Sequence, residues 1–278
     1  MSKIRYSIMC ASIMAGLLGG CQQPPSTPAY SRISNVNIVS DKTFSITGLR
    51  HVALRDAALS LGARGGLAYR AAQIREEVYS QQAYLDRIFN FYGLVLDDNV
   101  VPPVLVEGRQ HLDQPSNDVL RIADRSYLIL HQARFATNAP NWRDYLKMDY
   151  KEPELPDRSL LPRNETEKHV WEKYIKEGWD AGIIQANTIF LENLGRLKRD
   201  YQGMVRYHTL LAQGVVSKPY VARVDLGITG DSEKMSVNDR VLRITSMPSF
   251  ELKGNNWNPD LVKSKPGAME YEGEQTHG

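Results

Sequence analysis

Histidine side chains could bind metal ions or transfer protons, but their spacing in this sequence matches no known site. Zinc sites on a helix use the H-x-x-x-H pattern, which brings two imidazoles to one face. No pair among the six histidines has this or a similar ligand spacing. We therefore predict no metal site and interpret them as surface or capped histidines. They are His51, His111, His131, His169, His208 and His277.

A possible hydrolase motif lies at residues 230–232, which read Gly-Asp-Ser. The nucleophile block of GDSL-type esterases begins in the same way, and its serine needs a histidine base held by a carboxylate. The only histidine after Ser232 is His277, and no Asp-x-x-His spacing accompanies it. A hairpin turn explains the same residues without catalysis.

Two further segments contain residue types that could act on or bind a substrate. Asp97 and Asp98 are paired carboxylates, but adjacent aspartates between apolar runs usually form a turn. Residues 62–66 are rich in glycine but lack the lysine of a phosphate-binding loop and the strand before it. We predict no catalytic residue, and we expect that the protein is not an enzyme.

The first 20 residues have the composition of a secretory signal peptide. Lys3 and Arg5 form a short cationic start, and residues 8–18 are mostly apolar. About a dozen residues cannot span roughly 30 Å of hydrocarbon, which needs about 20 residues in a helix. We therefore predict that residues 1–20 are removed from the mature protein.

Cys21 is the residue with the clearest predicted chemistry. Leu18, Gly19, Gly20 and Cys21 are typical of a bacterial lipobox, in which the small residues let the signal peptidase cleave between Gly20 and Cys21. The thiol would carry a diacylglycerol and the new amine an N-acyl chain, and we expect no other cofactor. Because Cys10 lies in the signal, the mature chain keeps one cysteine, which is unusual for a secreted protein unless the thiol is occupied. The alternative is an ordinary signal followed by a free cysteine.

Two or three acyl chains should anchor the protein permanently, because each buried methylene contributes about 0.8 kcal/mol. Gln22 follows Cys21; an aspartate there favours retention in the inner membrane, so we expect the periplasmic face of the outer membrane. Residues 21–47 are assigned to the lipidated cysteine and a flexible tether. Residues 22–34, rich in proline, are its extended part.

The charge balance argues against a nucleic-acid surface. The sequence has 34 basic and 32 acidic residues, and removal of Lys3 and Arg5 with the signal leaves 32 of each. A mature chain without net positive charge has no general attraction for phosphate backbones, so we expect no direct nucleic-acid binding. Proteins are the expected partners.

Apolar residues at helical spacing predict that the globular domain, residues 48–253, is mainly helical. The glycines of residues 62–66 are expected to interrupt the first helix. Asn164 and Glu167 are spaced as a capping pair, so a long helix should begin there. The predicted helices cover residues 48–63, 67–92, 142–146, 164–199 and 201–213.

Strands are predicted between and after these helices. Residues 94–106 are two apolar runs around a turn, and Pro102 and Pro103 favour an edge or an irregular connection because proline has no N–H donor. Residues 119–136 are rich in β-prone types. Residues 220–228 and 241–245 flank a polar turn and predict an antiparallel hairpin.

The predicted fold class is therefore α+β and mainly helical, with amphipathic helices and a small antiparallel sheet that includes this C-terminal hairpin. Residues 254–278 are polar and are predicted to be a disordered tail.

Five blocks spread over most of the mature chain carry a family resemblance. They are residues 53–70 (ALRDAALSLGARGGLAYR), 84–91 (YLDRIFNF) with the VVPPV that follows at 100–104, 141–146 (NWRDYL), 222–230 (ARVDLGITG) and 239–245 (DRVLRIT). Together they resemble the DotC lipoprotein family of Dot/Icm type IVB secretion systems and its TraI counterpart in the conjugation apparatus of IncI-type plasmids.

The resemblance implies a structural role in a secretion or conjugation core complex at the outer membrane. Members of this family act with a DotD-like lipoprotein to bring a DotH-like channel component to that membrane, in a multimeric ring. No catalytic residue or cofactor is implied. The sequence leaves open whether the cargo is conjugated DNA or effector proteins. A lipid-anchored cell-wall enzyme or binding protein is the alternative function.

Overall fold

The computed structural model describes residues 27–37 and 48–257. The predicted signal peptide, the lipobox residues Leu18, Gly19, Gly20 and Cys21, and residues 258–278 of the predicted tail lie outside them. The helices are α1 (Pro28–Ser34), α2 (Gly48–Ser80), α3 (Gln82–Ile88), α4 (Trp142–Leu146) and α5 (Glu165–Ala212). The strands are β1 (Val100–Val101), β2 (Val104–Ser116), β3 (Val119–His131), β4 (Arg134–Phe135), β5 (Tyr220–Gly230) and β6 (Met235–Ser246).

The predicted fold class, α+β and mainly helical with a C-terminal hairpin, is confirmed. Instead of one small sheet, the described chain has three two-stranded antiparallel sheets, which pair β1 with β4, β2 with β3, and β5 with β6. Pro102 and Pro103 form the predicted irregular connection, because they separate β1 from β2.

The chain divides into two compact units, each made of two segments, whereas the sequence predicts one globular domain over residues 48–253. Unit 1 contains the described residues up to Ile88 together with Trp142–Leu197. Unit 2 contains Phe89–Asn141 and the described residues from Lys198 onward. Helix α5 contributes to both.

Unit 1 is built on a close crossing of α2 and α5. Gly62 and Gly66 on α2, and Gly178 and Gly182 on α5, are each spaced by four residues and lie on one face of their helix. A Cβ atom at any of the four would lie well under 3.0 Å from a backbone carbonyl of the other helix. The carbonyls belong to Ile175, Trp179, Leu59 and Ala63, respectively.

This crossing corrects the predicted helix break at residues 62–66. Helix α2 runs without interruption from Gly48 to Ser80. Each glycine in a helix interior costs about 1 kcal/mol relative to alanine, but here the absent Cβ lets two backbones come into contact. The glycines are therefore a packing surface of the helix and not its end.

Helix α1 corrects the predicted extended tether over residues 28–34. Thr27 caps it by accepting from the Tyr30 amide at 3.4 Å, and Pro28 is at its first position, where a missing N–H costs nothing. Ile33 is 2% exposed in the core of unit 1. Its carbonyl accepts from the indole N–H of Trp171 at 3.0 Å. The proline therefore starts a packed helix instead of extending a linker.

The predicted start of the long helix is confirmed. The Asn164 side chain accepts from the Glu167 amide at 2.8 Å, and the Glu167 carboxylate accepts from the Arg163 amide at 2.8 Å. The predicted end near Arg199 is wrong, because α5 continues to Ala212 as one helix of 48 residues. Buried residues on both sides of Arg199, Leu197 and Met204 among them, keep an apolar face through the expected break.

The core of unit 2 holds the lower part of the β2–β3 hairpin against α5. Leu105 and Tyr207 are fully buried there. A Cβ at Gly203 would lie 2.9 Å from the Leu105 amide nitrogen, so β2 contacts the helix backbone. The predicted tail also begins inside this unit, since Gly254–Asn256 is a 3-10 helix and the Trp257 indole N–H donates to the Glu251 carbonyl at 2.9 Å. That part of the tail prediction is wrong.

Candidate protein interface

The two long hairpins of unit 2 are the most unusual surface among the described residues. Their strands are 11 to 13 residues long, and each hairpin is a separate two-stranded sheet. An isolated two-stranded hairpin is only marginally stable in water. Large apolar side chains nevertheless remain exposed on both hairpins. Exposed apolar patches on a protein surface mark sites that bind other proteins.

The β2–β3 hairpin changes from buried to exposed along its length. At its base, Val104 and Leu105 are buried, and Tyr127 packs against Phe250 with ring centroids 6.4 Å apart. Towards the turn, Leu112 lies opposite Ile122, and these side chains are 61% and 66% exposed. The base is therefore fixed by the core of unit 2, while the outer part offers apolar side chains to a partner.

The β5–β6 hairpin exposes large apolar side chains over most of its length. Val224 lies opposite Val241, and Ile228 lies opposite Val237. All four are more than half exposed. The structure confirms the predicted strands over residues 220–228 and 241–245 and lengthens both.

The backbone of this hairpin is bent by shifts in register. The pairing shifts between Asp225 and Ile228, where Gly227 and, on the opposite strand, Asn238 have positive φ angles of 76° and 57°. Gly and Asn adopt such angles more easily than other residues. The Thr229 hydroxyl donates to the Asp239 carboxylate at 2.6 Å beside the shift. Bulges of this kind increase strand twist and discourage uncontrolled edge-to-edge association.

The Gly-Asp-Ser motif at residues 230–232 forms the turn of this hairpin. The Asp231 carboxylate accepts from the Glu233 and Lys234 amides, both at 2.9 Å, and these hydrogen bonds hold the pKa of Asp231 below its usual range. Ser232 is exposed in the turn, and His277 lies outside the described residues. Asp231 is therefore occupied in shaping the turn.

The other residues considered for chemistry are dispersed. Asp97 and Asp98 lie in a short 3-10 helix, with Asp98 at a φ of 59°. His208 is half-buried on α5, with Nε2 2.9 Å from the Leu94 carbonyl oxygen. His51, His131 and His169 lie on separate elements. Within the described residues, no three His, Cys, Asp or Glu side chains are close enough to hold a metal ion.

Two blocks of the family resemblance meet in unit 1, a contact that sequence reasoning missed. Asp86, from residues 84–91, accepts from the Trp142 indole N–H at 2.7 Å and from Arg143 at 2.6 and 3.1 Å. The Arg143 hydrogen bond and then that of Trp142 lower the pKa of Asp86. Both blocks belong to the family resemblance, but the resemblance does not indicate that they contact each other.

Tyr207 links the base of the hairpins to α5. Burial raises its pKa to about 12. The phenol donates to the Ser217 carbonyl at 3.2 Å. Ser217 in turn precedes β5 by three residues. The segment that leads into the second hairpin is therefore tied to the helix.

A sequence profile of a known family, described as type IV secretory system, conjugal DNA-protein transfer (TraI), matches residues 48–259. The chain belongs to this TraI family. The match covers the whole described part of unit 2 and all of the described part of unit 1 except residues 27–37, which contain α1. No curated protein matches the chain significantly.

Membership of the TraI family confirms the resemblance drawn from the five blocks. It makes the chain a component of a type IV secretion or conjugation system, which assembles with other components of that system. Both hairpins lie inside the matched range. In the part of the chain described by the structure, no helix combines the length and hydropathy needed to cross a bilayer.

Proposed function

We propose that the mature chain is an outer-membrane lipoprotein that forms part of the core complex of a type IVB secretion or conjugation system. It stands at the periplasmic face of the membrane, held by lipid on Cys21. With a DotD-like lipoprotein, it positions and stabilises a DotH-like channel component for transfer of DNA or protein. The role is structural, with no catalytic step.

The observation that carries this proposal is the pair of hairpins with large exposed apolar side chains. Burying one such side chain contributes about 1.5–3 kcal/mol. Burial of exposed residues such as Ile122 and Ile228 in an interface would therefore contribute substantially to the free energy of binding. Enzymes bind substrates in concave sites, whereas these hairpins expose large apolar side chains on the outer part of β2–β3 and along most of β5–β6. Because the chain belongs to a family of secretory-system components, such a surface would serve to contact other components of that system.

Helix α1 makes the proposed anchor a short one. Cys21 and Thr27, which caps α1, are six residues apart, a span of at most about 20 Å even when fully extended. Because Ile33 is packed in the core of unit 1, the lipid would hold that unit close to the membrane. Under this proposal, the connection between the lipid and the folded chain is shorter than the tether predicted over residues 21–47.

Repetition in a ring would strengthen each contact of such an anchored protein. Once one hairpin binds a partner in the ring, further contacts become effectively intramolecular, and modest interfaces give a stable assembly. The outer strand edges could also pair with an extended segment of a partner by strand addition.

The test of the anchor is Cys21→Ser, compared with Cys10→Ser as a matched control within the predicted signal. We expect Cys21→Ser to move the protein out of the outer-membrane fraction and to reduce transfer at least tenfold. Cys10→Ser should change neither, because that residue would be removed. Outer-membrane fractionation and transfer that survive Cys21→Ser would refute the anchoring proposal.

A further inference from the structure

The two faces of the β2–β3 hairpin differ in what they contact. On β3, Tyr127 and Ile129 pack against the core of unit 2. Side chains alternate between the two faces of a strand, so the even-numbered residues of β3 lie on the opposite face. We call this opposite face the apolar face. Its large apolar side chains are 57–66% exposed, and they belong to Leu112 on β2 and to Leu120, Ile122 and Leu128 on β3.

One acidic residue lies in the middle of the apolar face. Asp124 is two residues from Ile122 and four from Leu128, so its side chain is on the same side of β3. It is exposed, and its carboxylate makes no hydrogen bond or ion pair with any residue that the structure describes. The nearest basic residues of β3, Arg121 and Arg125, lie on the opposite face by the same alternation. The apolar face therefore carries one unpaired negative charge.

One side of the β5–β6 hairpin has a similar pattern with the opposite charge. Ala222 lies opposite Arg243, and Val224 lies opposite Val241. These two cross-strand pairs are two residues apart on each strand and so share one side of the hairpin, together with Tyr220. Tyr220, Val224 and Val241 are 67%, 56% and 51% exposed. We call this side the Arg243 face.

The Arg243 side chain is available for an ion pair. It is exposed and makes no hydrogen bond or ion pair within the described part of the chain. Arg223 and Asp225 pair with each other at 2.7 Å on the opposite side, where Arg240 also lies. Asp239 shares the side of Arg243 but is four residues along the strand, about 14 Å away. That separation exceeds the Debye length of about 8 Å at physiological ionic strength.

The two faces are therefore complementary. Each presents large exposed apolar side chains around one unpaired charge, and the two charges have opposite sign. If the faces pack together, Asp124 can pair with Arg243, whose guanidinium can bind a carboxylate through two parallel hydrogen bonds. Neither charge is then left buried without a partner, which would be strongly unfavourable.

Every copy of the chain carries both faces, and within the described chain neither face covers the other. Each hairpin is a separate two-stranded sheet, and the apolar side chains of both faces remain exposed. A contact between the β2–β3 hairpin of one copy and the β5–β6 hairpin of the next is heterologous. It leaves one face of each kind open at the two ends, so it can extend from copy to copy and close into a ring.

We propose that the apolar face of one copy packs on the Arg243 face of a second copy, with Asp124 of one paired to Arg243 of the other. This inference rests on the proposed function, which assigns the hairpins to assembly. It adds that a second copy of this chain is a partner of the hairpins.

Disulfide trapping in the full-length chain, in the membrane fraction of cells that carry the whole secretion system, tests this contact. Ile122→Cys and Val241→Cys are combined in one chain, and each change alone controls for linkage to Cys21 and for contact between identical faces. We expect a ladder of linked dimers and larger species, at least fivefold above that of a control pair, Ile122→Cys with Val237→Cys. Val237 is 59% exposed and lies past the register shift, nearer the turn.

A charge exchange decides whether the ion pair directs the contact. Asp124→Arg or Arg243→Asp alone places like charges together and should lower the ladder at least fivefold. The two changes combined restore opposite charges and should return the yield to within twofold of the starting pair. Asp124→Asn is the milder replacement if a single charge reversal does not fold.

Several results would overturn the proposal: no ladder above the control pair, a cross-link only within one chain, or a combined variant as low as the single ones. Co-purification of the other secretion components from the same cells separates this inference from the proposed function. If they co-purify and no ladder forms, the contact between copies is wrong and the proposed function stands. A ladder without co-purification would support the contact and contradict the proposed function.

Discussion

In unit 1, Leu61 and Trp179 are completely buried where α2 and α5 cross, whereas in unit 2 the outer hairpin residues Leu112 and Ile228 are more than 60% exposed. The apolar side chains at the helix crossing are therefore stabilised by burial within the chain itself. The exposed apolar side chains of the hairpins have not gained this free energy. Burial in an interface would contribute about 1.5–3 kcal/mol for each large side chain. One chain thus combines a helix crossing that is buried within the chain with hairpins that we propose are covered by partners.

The largest expected effect is on the helix crossing. Gly66→Ala places a Cβ well under 3.0 Å from the Trp179 carbonyl, so α2 and α5 must separate. We expect the free energy of unfolding to fall by about 3 kcal/mol, measured by urea denaturation of the mature chain.

Gly195→Ala is the matched control for this substitution, because it lies on α5 with nothing within 4 Å of its Cβ position. It should stabilise the protein by about 0.5–1 kcal/mol, since alanine favours a helix. A similar loss of stability in both variants would mean that helix propensity, and not the close crossing, determines the response.

A smaller effect is expected at the start of α5, where Glu167 is buried against Arg50. Arg50 donates to both carboxylate oxygens, at 2.7 and 2.8 Å, and this pairing holds the pKa of Glu167 below its ordinary value of 4.5. A carboxylate with a lowered folded pKa stabilises the protein above its unfolded pKa, and this contribution is lost as pH falls through the folded value. Glu167→Gln should cost about 2 kcal/mol at pH 7.

The difference in unfolding free energy between Glu167→Gln and the wild type should shrink below pH 4.5, where the wild-type carboxylate becomes protonated. Equilibrium unfolding at several pH values measures it. Exposed Glu165→Gln, in the same helical turn, is the control and should show little pH-dependent difference. A constant difference from pH 7 to low pH would contradict the role given to the ion pair.

The smallest effect on stability is expected on the hairpins, although the functional effect should be large. Ile122→Asp and Ile228→Asp change exposed side chains, so each should alter the unfolding free energy by less than about 0.5 kcal/mol. Co-purification with the other secretion components should fall at least tenfold, because a charge would be buried in the interface.

Leu105→Asp provides the contrast within the same hairpin, since Leu105 is fully buried at its base. That variant should unfold unit 2 and lose partners for this reason. If the outer-hairpin variants retain full co-purification and transfer, the exposed strands are not the assembly surface.

Features that depend on neighbouring residues were predicted correctly. The Asn164 cap, the C-terminal hairpin and the short helix at residues 142–146 each rest on a few adjacent side chains. Features that depend on distant partners were missed. Residues 62–66 look like a helix break until Gly178 and Gly182, more than 110 residues away, are placed against them.

The hairpins also show that a sequence pattern can predict a strand without predicting whether its apolar side chains are buried. Alternating apolar residues in 220–228 indicated a strand, and alternation normally means that one face is buried. Here large apolar residues on the strand remain exposed, because the described chain supplies no second layer. The β2 strand beyond residue 106 was missed for a related reason, since its mixed polar residues have no burial pattern to reveal them.

The sequence by itself determined the family, the α+β class and the local signals for helix starts and strands, because each of these is a pattern of residue types along the chain. Only the tertiary structure decided that α1 is packed, that α2 and α5 are continuous, and which apolar residues remain exposed. Those outcomes depend on which surfaces come into contact, since burial and close backbone approach are properties of pairs of segments that no single segment contains.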